Sequence, residues 1–233
     1  MSPRLTVVMP VYNEAATVAR VIDLVRNAPV EISQEIVVVD DASTDGTRAV
    51  LEKIAAENGG LVRLIAHETN RGKGAAVRTG IAAAKGEIVL IQDADLEYDP
   101  RDYPALLEPI LEGHADVVFG NRFHGGAHRV LYFWHYVANR TLTLITNVLT
   151  GLNLTDMEAG YKVLRADTLA RLRLTAERFG IEPELAIKVA KLRCRVYEVP
   201  IRYHGRTYEE GKKITWRDGV AAVYHILRYR FFD

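Results

Sequence analysis

The feature that most constrains this chain is an alternation, through its first half, between short apolar runs and amphipathic helix-like stretches. Residues 5–9, 35–40, 61–66, 87–92 and 115–120 read as strands, and their nearly continuous apolar character suits strands covered on both faces. Between them, residues 14–27, 46–58, 73–85 and 100–112 read as helices, with Asn13 and Asp99 placed as caps and Pro100 in a first turn. Repeated strand-helix order predicts a mainly parallel sheet with right-handed crossovers. Strand signals are weaker in the second half, at residues 161–164 and 196–201. At 233 residues, 48% hydrophobic and 26% charged, the chain excludes disorder as its main state. It suits a single α/β domain over residues 1–233, with residues 1–120 as the ligand-binding half and 121–233 completing the site.

Charge and cysteine content narrow the partners. Thirty Lys and Arg balance thirty Asp and Glu, so the global basic field of a general nucleic-acid binder is absent and any anion site must be local. The lone cysteine, Cys194, cannot form an intramolecular disulfide, which fits a reducing cytoplasm. The N-terminus passes directly into a strand-like run, so no secretory signal is expected. Residues 130–149, the longest candidate span, contain His135, Asn139, Arg140 and Asn147, whereas a spanning helix wants about 20 nearly uncharged apolar residues.

In open parallel sheets ligands bind beyond the carboxyl ends of the strands, and here those ends are unusually polar. The first run ends in Pro10-Val11-Tyr12-Asn13-Glu14 and the second in Asp40-Asp41-Ala42-Ser43-Thr44-Asp45-Gly46. The third leads to Asn70-Arg71-Gly72-Lys73-Gly74, and the fourth stops at Asp93-Ala94-Asp95-Leu96-Glu97. Two carboxylates at one strand end, Asp93 and Asp95, repel each other unless a cation or proton intervenes. Oxygen-only ligands suit Mg²⁺ or Mn²⁺, which keep open positions for phosphates, and Glu97 is a candidate third ligand. The competing reading is that residues 95–99 simply cap the helix that starts at Pro100. Asp40 and Asp41 would repel a phosphate, so hydrogen bonding to a ribose or base edge suits them better, with Ser43 or Asp45 as the helix cap. Gly72-Lys73-Gly74 offers an amide and an ammonium to a phosphate; neither a Walker loop nor Gly-x-Gly-x-x-Gly is present.

Taken in order, these segments, with Gly120-Asn121-Arg122, Asp156-Met157-Glu158-Ala159-Gly160-Tyr161-Lys162 and Glu198-Val199-Pro200-Ile201, resemble the family 2 glycosyltransferases of the GT-A fold. Within that family they are similar to the dolichol-phosphate mannose synthase-like, polyprenyl-phosphate branch. The resemblance implies an α/β, Rossmann-like, mainly parallel sheet flanked by helices. It also implies a nucleotide-diphosphate sugar donor, GDP- or UDP-linked, carrying a hexose such as mannose or glucose. By position in the family pattern, Pro10, Tyr12, Glu14 and Asp41 would hold the nucleoside, while Asp93, Asp95 and Glu97 would hold Mg²⁺ or Mn²⁺ on the diphosphate. Lys73, Ala94 and Lys212 are further donor-site candidates. Family members often have Gln where this chain has Glu97.

Most inverting sugar transferases activate a hydroxyl with a general base, but a lipid phosphate, with a second pKa near ~6, already carries a nucleophilic oxygen. A polyprenyl (dolichyl or undecaprenyl) phosphate acceptor therefore needs cations instead of a base, and Arg122, Arg206, Lys212 and Lys213 supply them. Asp95, Arg122 and Arg206 are the expected catalytic residues of a metal-dependent, inverting transfer. One alternative is a hydroxyl acceptor, on a glycolipid or saccharide, with Asp156 or Glu158 as base. Another is a non-catalytic sugar-nucleotide or lipid-binding protein.

Residues 128–149 interleave aromatic side chains with Arg and His, the pattern of an amphipathic helix lying at a bilayer interface. His135 and Asn139, four apart, share a helical face on which they would meet the acceptor phosphate with Arg122. A core helix or a homodimer interface would show the same pattern. Residues 216–232 form a second candidate surface element. With the sequence ending at Asp233, membrane contact is expected from such surfaces or from a membrane-protein partner, peripherally at the cytoplasmic face.

Overall fold

A computed structural model describes residues 4–124, 129–130, 132–207, 209–210 and 216–233. The expectations placed on Lys212 and Lys213 lie outside the described residues, as do His128 and Leu131 of the aromatic run. The strands are β1 (Leu5–Val11), β2 (Gln34–Asp40), β3 (Val62–Ala66), β4 (Ile88–Ile91), β5 (Val117–Asn121), β6 (Lys162–Arg165) and β7 (Val196–Pro200). The helices are α1 (Val18–Arg26), α2 (Thr47–Glu57), α3 (Lys73–Ala83), α4 (Tyr103–Leu111), α5 (Phe133–Thr150), α6 (Ala166–Leu169), α7 (Ile181–Lys191) and α8 (Trp216–Phe231).

One sheet of order β3-β2-β1-β4-β6-β5-β7 runs through both halves of the chain. All neighbours are parallel except β6, which is antiparallel to β4 and to β5. The register places Val11, Asp40 and Ala66 level at one edge and pairs Val8 with Ile91, so four strand ends open on the same side. Because β6 runs backwards, its first residue Lys162 pairs with both Ile91 and Phe119, which brings the segment before it to that same edge.

Successive strand residues face opposite sides, and both sides are covered. Val7 and Met9 pack with Val21 and Ile22 of α1 in one core; Val8 and Ile91 pack with Val77, Leu142 and Ile187 in another. This double coverage explains the uninterrupted apolar strands, and each such side chain buried contributes roughly 1.5–3 kcal/mol.

Two helix starts differ from expectation. Asn13 does not cap a helix at residue 14: it adopts φ +52°, its amide donates to Ser43 Oγ (3.0 Å), and its Oδ1 accepts from the Thr44 amide (2.8 Å). Asparagine tolerates the left-handed region, and this local bonding delays α1 to Val18, with Thr17 as its N-cap residue. Pro100 opens a short 3-10 turn, Pro100–Asp102, ahead of α4, and Asp99 does cap it by accepting from the Arg101 amide (2.9 Å).

Candidate active site

Three non-glycine residues at the open edge, Asn13, Ala42 and Leu96, hold left-handed backbone with φ between +52° and +62°. Each such conformation costs on the order of 1–3 kcal/mol and persists where the surroundings impose it. All three follow strand ends that carry the candidate residues.

At the end of β2, Asp41 is buried and saturated. Its Oδ1 accepts from the Arg71 amide (2.9 Å) and lies 2.7 Å from His67 Nδ1; its Oδ2 accepts from the Gly72 amide (2.7 Å). Asp41 therefore ties the 67–72 segment to the sheet. Asp40, one residue earlier, is also buried and pairs with Arg48 while accepting from the Ser43 amide. Pro10 lies in β1 beside Val39, and Tyr12 is exposed at the rim.

The end of β4 is arranged differently. Asp93 binds the Lys73 ammonium (2.8 and 3.0 Å), which also reaches Glu182 at 2.8 Å. Ala94 is buried, and its carbonyl accepts from the Thr17 hydroxyl (2.9 Å). Beyond it the left-handed Leu96 turns the chain so that the Glu97 amide donates to Asp95 Oδ1 (3.2 Å). Arg206 enters from the far end of the sequence. Its Nη2 lies 3.2 Å from both Asp95 and Glu14, and its backbone amide donates to Glu97 Oε1 (2.7 Å). Tyr203 donates its hydroxyl to Glu97 Oε2 (3.0 Å). Burial, reinforced by the charges of Asp93 and Glu97, pushes the Asp95 carboxyl up to about 7 despite Arg206. At this strand end Glu14, Asp93, Asp95 and Glu97 thus share two cations among the described residues, Lys73 and Arg206.

This donor set is all oxygen, and its surplus of carboxylates over cations fits a hard divalent ion. In this structure Lys73 and Arg206 meet that charge, and among the described residues no group of three His, Cys, Asp or Glu side chains is disposed to hold a metal.

Across the edge, Arg122 follows β5 and forms a fork with Asp156: Nε and Nη2 each lie 2.7 Å from a carboxylate oxygen, and the Arg122 amide adds a third bond at 3.0 Å. Asn139 of α5 donates to the same carboxylate (3.0 Å). Burial would raise the Asp156 carboxyl, but the charge and hydrogen bonds of Arg122 together with the Asn139 bond hold the group below its ordinary value. Glu198 of β7 fixes this arrangement by accepting from the amides of Thr155 (2.8 Å) and Asp156 (3.0 Å). The Arg122 guanidinium also sits over the Tyr203 ring, 5.1 Å from its centroid, which links it to the Glu97 side of the site. Asn139 thus joins Arg122 through Asp156, whereas His135, half-buried, packs its ring on Tyr132 (5.3 Å between centroids). Glu158 lies in the same loop with a buried Oε1 that has no hydrogen-bond partner among the described residues. Burial and the Glu182 charge push its carboxyl up to about 8.

α5 and α8 pack against each other and leave apolar side chains outward, among them Phe133, Trp134, Leu144 and Val148 on the first and Tyr224 and Phe231 on the second. Sequence reasoning missed the anchoring carboxylates Glu182 and Glu198 and the ring of Tyr203. For Glu182 the sequence signal was slight, charged residues Glu182, Glu184 and Lys188 set among apolar ones, and the burial of that helix is visible only in the structure.

The family model described as glycosyl transferase family 2 matches residues 6–173. An undecaprenyl-phosphate mannosyltransferase of Micrococcus luteus is 33% identical over 220 residues, covering 90% of this chain and 87% of that protein. A dodecaprenyl-phosphate galacturonate synthase of Rhizobium johnstonii is 28% identical over 218 residues, covering 91% of this chain. The chain spans only 62% of that relative's length, and 63% of the Haloferax volcanii glycosyltransferase AglJ, which is 31% identical over 201 residues. Among solved structures, glucosyl-3-phosphoglycerate synthase of Mycobacterium tuberculosis, in complex with Mn²⁺, UDP and glucosyl-3-phosphoglycerate, superposes with a TM-score of 0.74. It covers 98% of this chain and 80% of that one at 23% identity, a likeness of fold. The mainly parallel seven-stranded sheet is that of a GT-A glycosyltransferase, and the chain belongs to glycosyl transferase family 2.

Proposed function

We propose that this protein transfers a hexose, such as mannose or glucose, from a GDP- or UDP-sugar to the phosphate of a polyprenol, with inversion and with the help of Mg²⁺ or Mn²⁺. The observation that carries the reading is the state of Asp156. A hydroxyl acceptor needs a general base, yet both oxygens of this carboxylate accept from Arg122 and one also from Asn139. Glu158, the other candidate base, is held protonated at neutral pH by its burial. An acceptor phosphate needs no base, only cations to align it, and Arg122 and Arg206 stand at that edge. The names of the Micrococcus and Rhizobium relatives support the same acceptor class.

In this reading Asp93, Asp95 and Glu97 hold the ion, which when bound neutralises charge on the departing nucleoside diphosphate. Pro10, Tyr12 and Glu14 line the nucleoside side, and Asp41 shapes it by pinning the 67–72 segment. Arg122, kept extended by Asp156 and Asn139, orients the acceptor phosphate. Arg206, now on Glu14 and Asp95, is assigned to the donor and acceptor phosphates, and His135 with Asn139 to the acceptor phosphate. The outward aromatic side chains of α5 and α8 rest on the membrane at its cytoplasmic face; no helix among the described residues is long and apolar enough to cross it.

A panel of nucleotide sugars with Mg²⁺ or Mn²⁺, assayed on polyprenyl phosphate and on the dephosphorylated polyprenol, tests the reading. Transfer to the phosphate alone is expected; equal use of the two acceptors would falsify it.

A further inference from the structure

Behind Asp93 lies a charged side chain that the transfer chemistry does not use. α3 and α7 start at the same place: the Gly74 amide donates to the Arg178 carbonyl (3.1 Å) and the Ala75 amide to that of Glu177 (2.9 Å). The approach is so close that a Cβ at Gly72 or Gly74 would lie 2.6 Å from a backbone oxygen of Glu177 or Ala176. This docking delivers Lys73 and Glu182, distant in sequence, to one point. The ammonium is 2.8 Å from Glu182 Oε1 and 2.8 and 3.0 Å from the two oxygens of Asp93. Glu182 comes from the first turn of α7, where free backbone amides favour a carboxylate. Its Oε2 is buried with no hydrogen-bond partner among the described residues.

With one ammonium and two carboxylates the group carries a net negative charge. Without Glu182 it would be neutral, and Lys73 would close on Asp93 alone. We propose that Glu182 is a positioning residue that acts through Lys73: by sharing the ammonium, it leaves Asp93 negative and available to the divalent cation of the donor. The proposal rests on the metal reading above, and its test separates the two.

The test titrates Mn²⁺ into the donor-free full chain and follows the free ion by electron paramagnetic resonance. Wild type should bind. Glu182→Gln should bind ~3–10-fold more weakly, Glu182→Asp should recover part of the loss, and Lys73→Met should bind more tightly. On the Lys73→Met background, Glu182→Gln should matter less than it does in wild type, because the ammonium it restrains is gone. Undiminished binding by Glu182→Gln, or an equal loss on both backgrounds, overturns the proposal while leaving the metal reading intact. If Glu182→Gln does not fold, Lys73→Met decides alone: affinity no tighter than wild type overturns it. If wild type binds Mn²⁺ only with GDP or UDP added, the same series is run with that nucleotide; a wild type that binds no Mn²⁺ either way removes the metal reading and this proposal with it.

Discussion

Asp41 and Asp95 sit on the same sheet edge and are satisfied in opposite ways. Asp41, past β2, is closed by two backbone amides and a histidine from one short segment. Asp95, past β4, has among the described residues one amide from its own turn and a guanidinium that reaches it from Arg206. A carboxylate bonded to backbone fixes geometry, because its partners cannot leave without unfolding the loop. One balanced mainly by a side-chain cation can exchange that cation for another without breaking a backbone bond. Under the proposed function, the difference would separate residues that build this site from residues that work in it.

The largest effect that would break this contrast is on turnover. Asp95→Asn should lower sugar transfer by ~10²–10³-fold with the melting temperature unchanged or raised, since a repelling charge is removed. A variant that keeps more than about a tenth of wild-type transfer would abolish the distinction. Asp41→Ala should do its damage in stability, losing about 2–4 kcal/mol in urea unfolding as buried donors are left unpaired. Loss of transfer at full stability would put Asp41 in the working class instead.

Arg122 is the intermediate case, a cation fixed by a buried carboxylate. Arg122→Lys keeps the charge and loses the fork, and should cost roughly tenfold in transfer, seen mainly in the KM for acceptor phosphate. The smallest effect is on pH dependence. Folded, the Asp95 and Glu158 carboxyls are raised to about 7 and about 8, mainly by burial, so they keep protons that the unfolded chain has already lost. Their contribution to stability therefore falls as pH rises from about 4 toward those values and levels off above them. Urea unfolding of the metal-free protein across that range should show the decline, and Asp95→Asn should flatten the part that ends near 7. An unchanged slope would mean that Asp95 is less confined than its surroundings imply.

The parallel sheet and the acidic strand ends were legible because strand periodicity and end-of-strand polarity are local properties. β1 to β5 lie within a few residues of where their apolar runs place them. The direction of β6 was not legible, since a short strand reads the same both ways and only its neighbours reveal that it runs against them. Asn13 looked like a cap because asparagine suits both a cap and a left-handed turn, and only contact with Ser43 and Thr44 decides between them. The pairings Arg122–Asp156, Lys73–Glu182 and Arg206–Glu14 link distant positions and are set by topology, which no spacing rule encodes. The comparisons named the family; the partners of each charge came from the fold.

Gly160 carries a consequence of scale. It lies in the segment that the reversed β6 brings to the site, and a Cβ there would stand 2.3 Å from Asp93 Oδ2 and 2.9 Å from the Tyr98 ring. One carbon atom at this position would push the Asp93 side chain from its seat, so the bare backbone acts as a spacer of atomic width. Any longer residue at this position would have to displace the Asp93 carboxylate and the Tyr98 ring together, so both keep their places through what this one residue lacks.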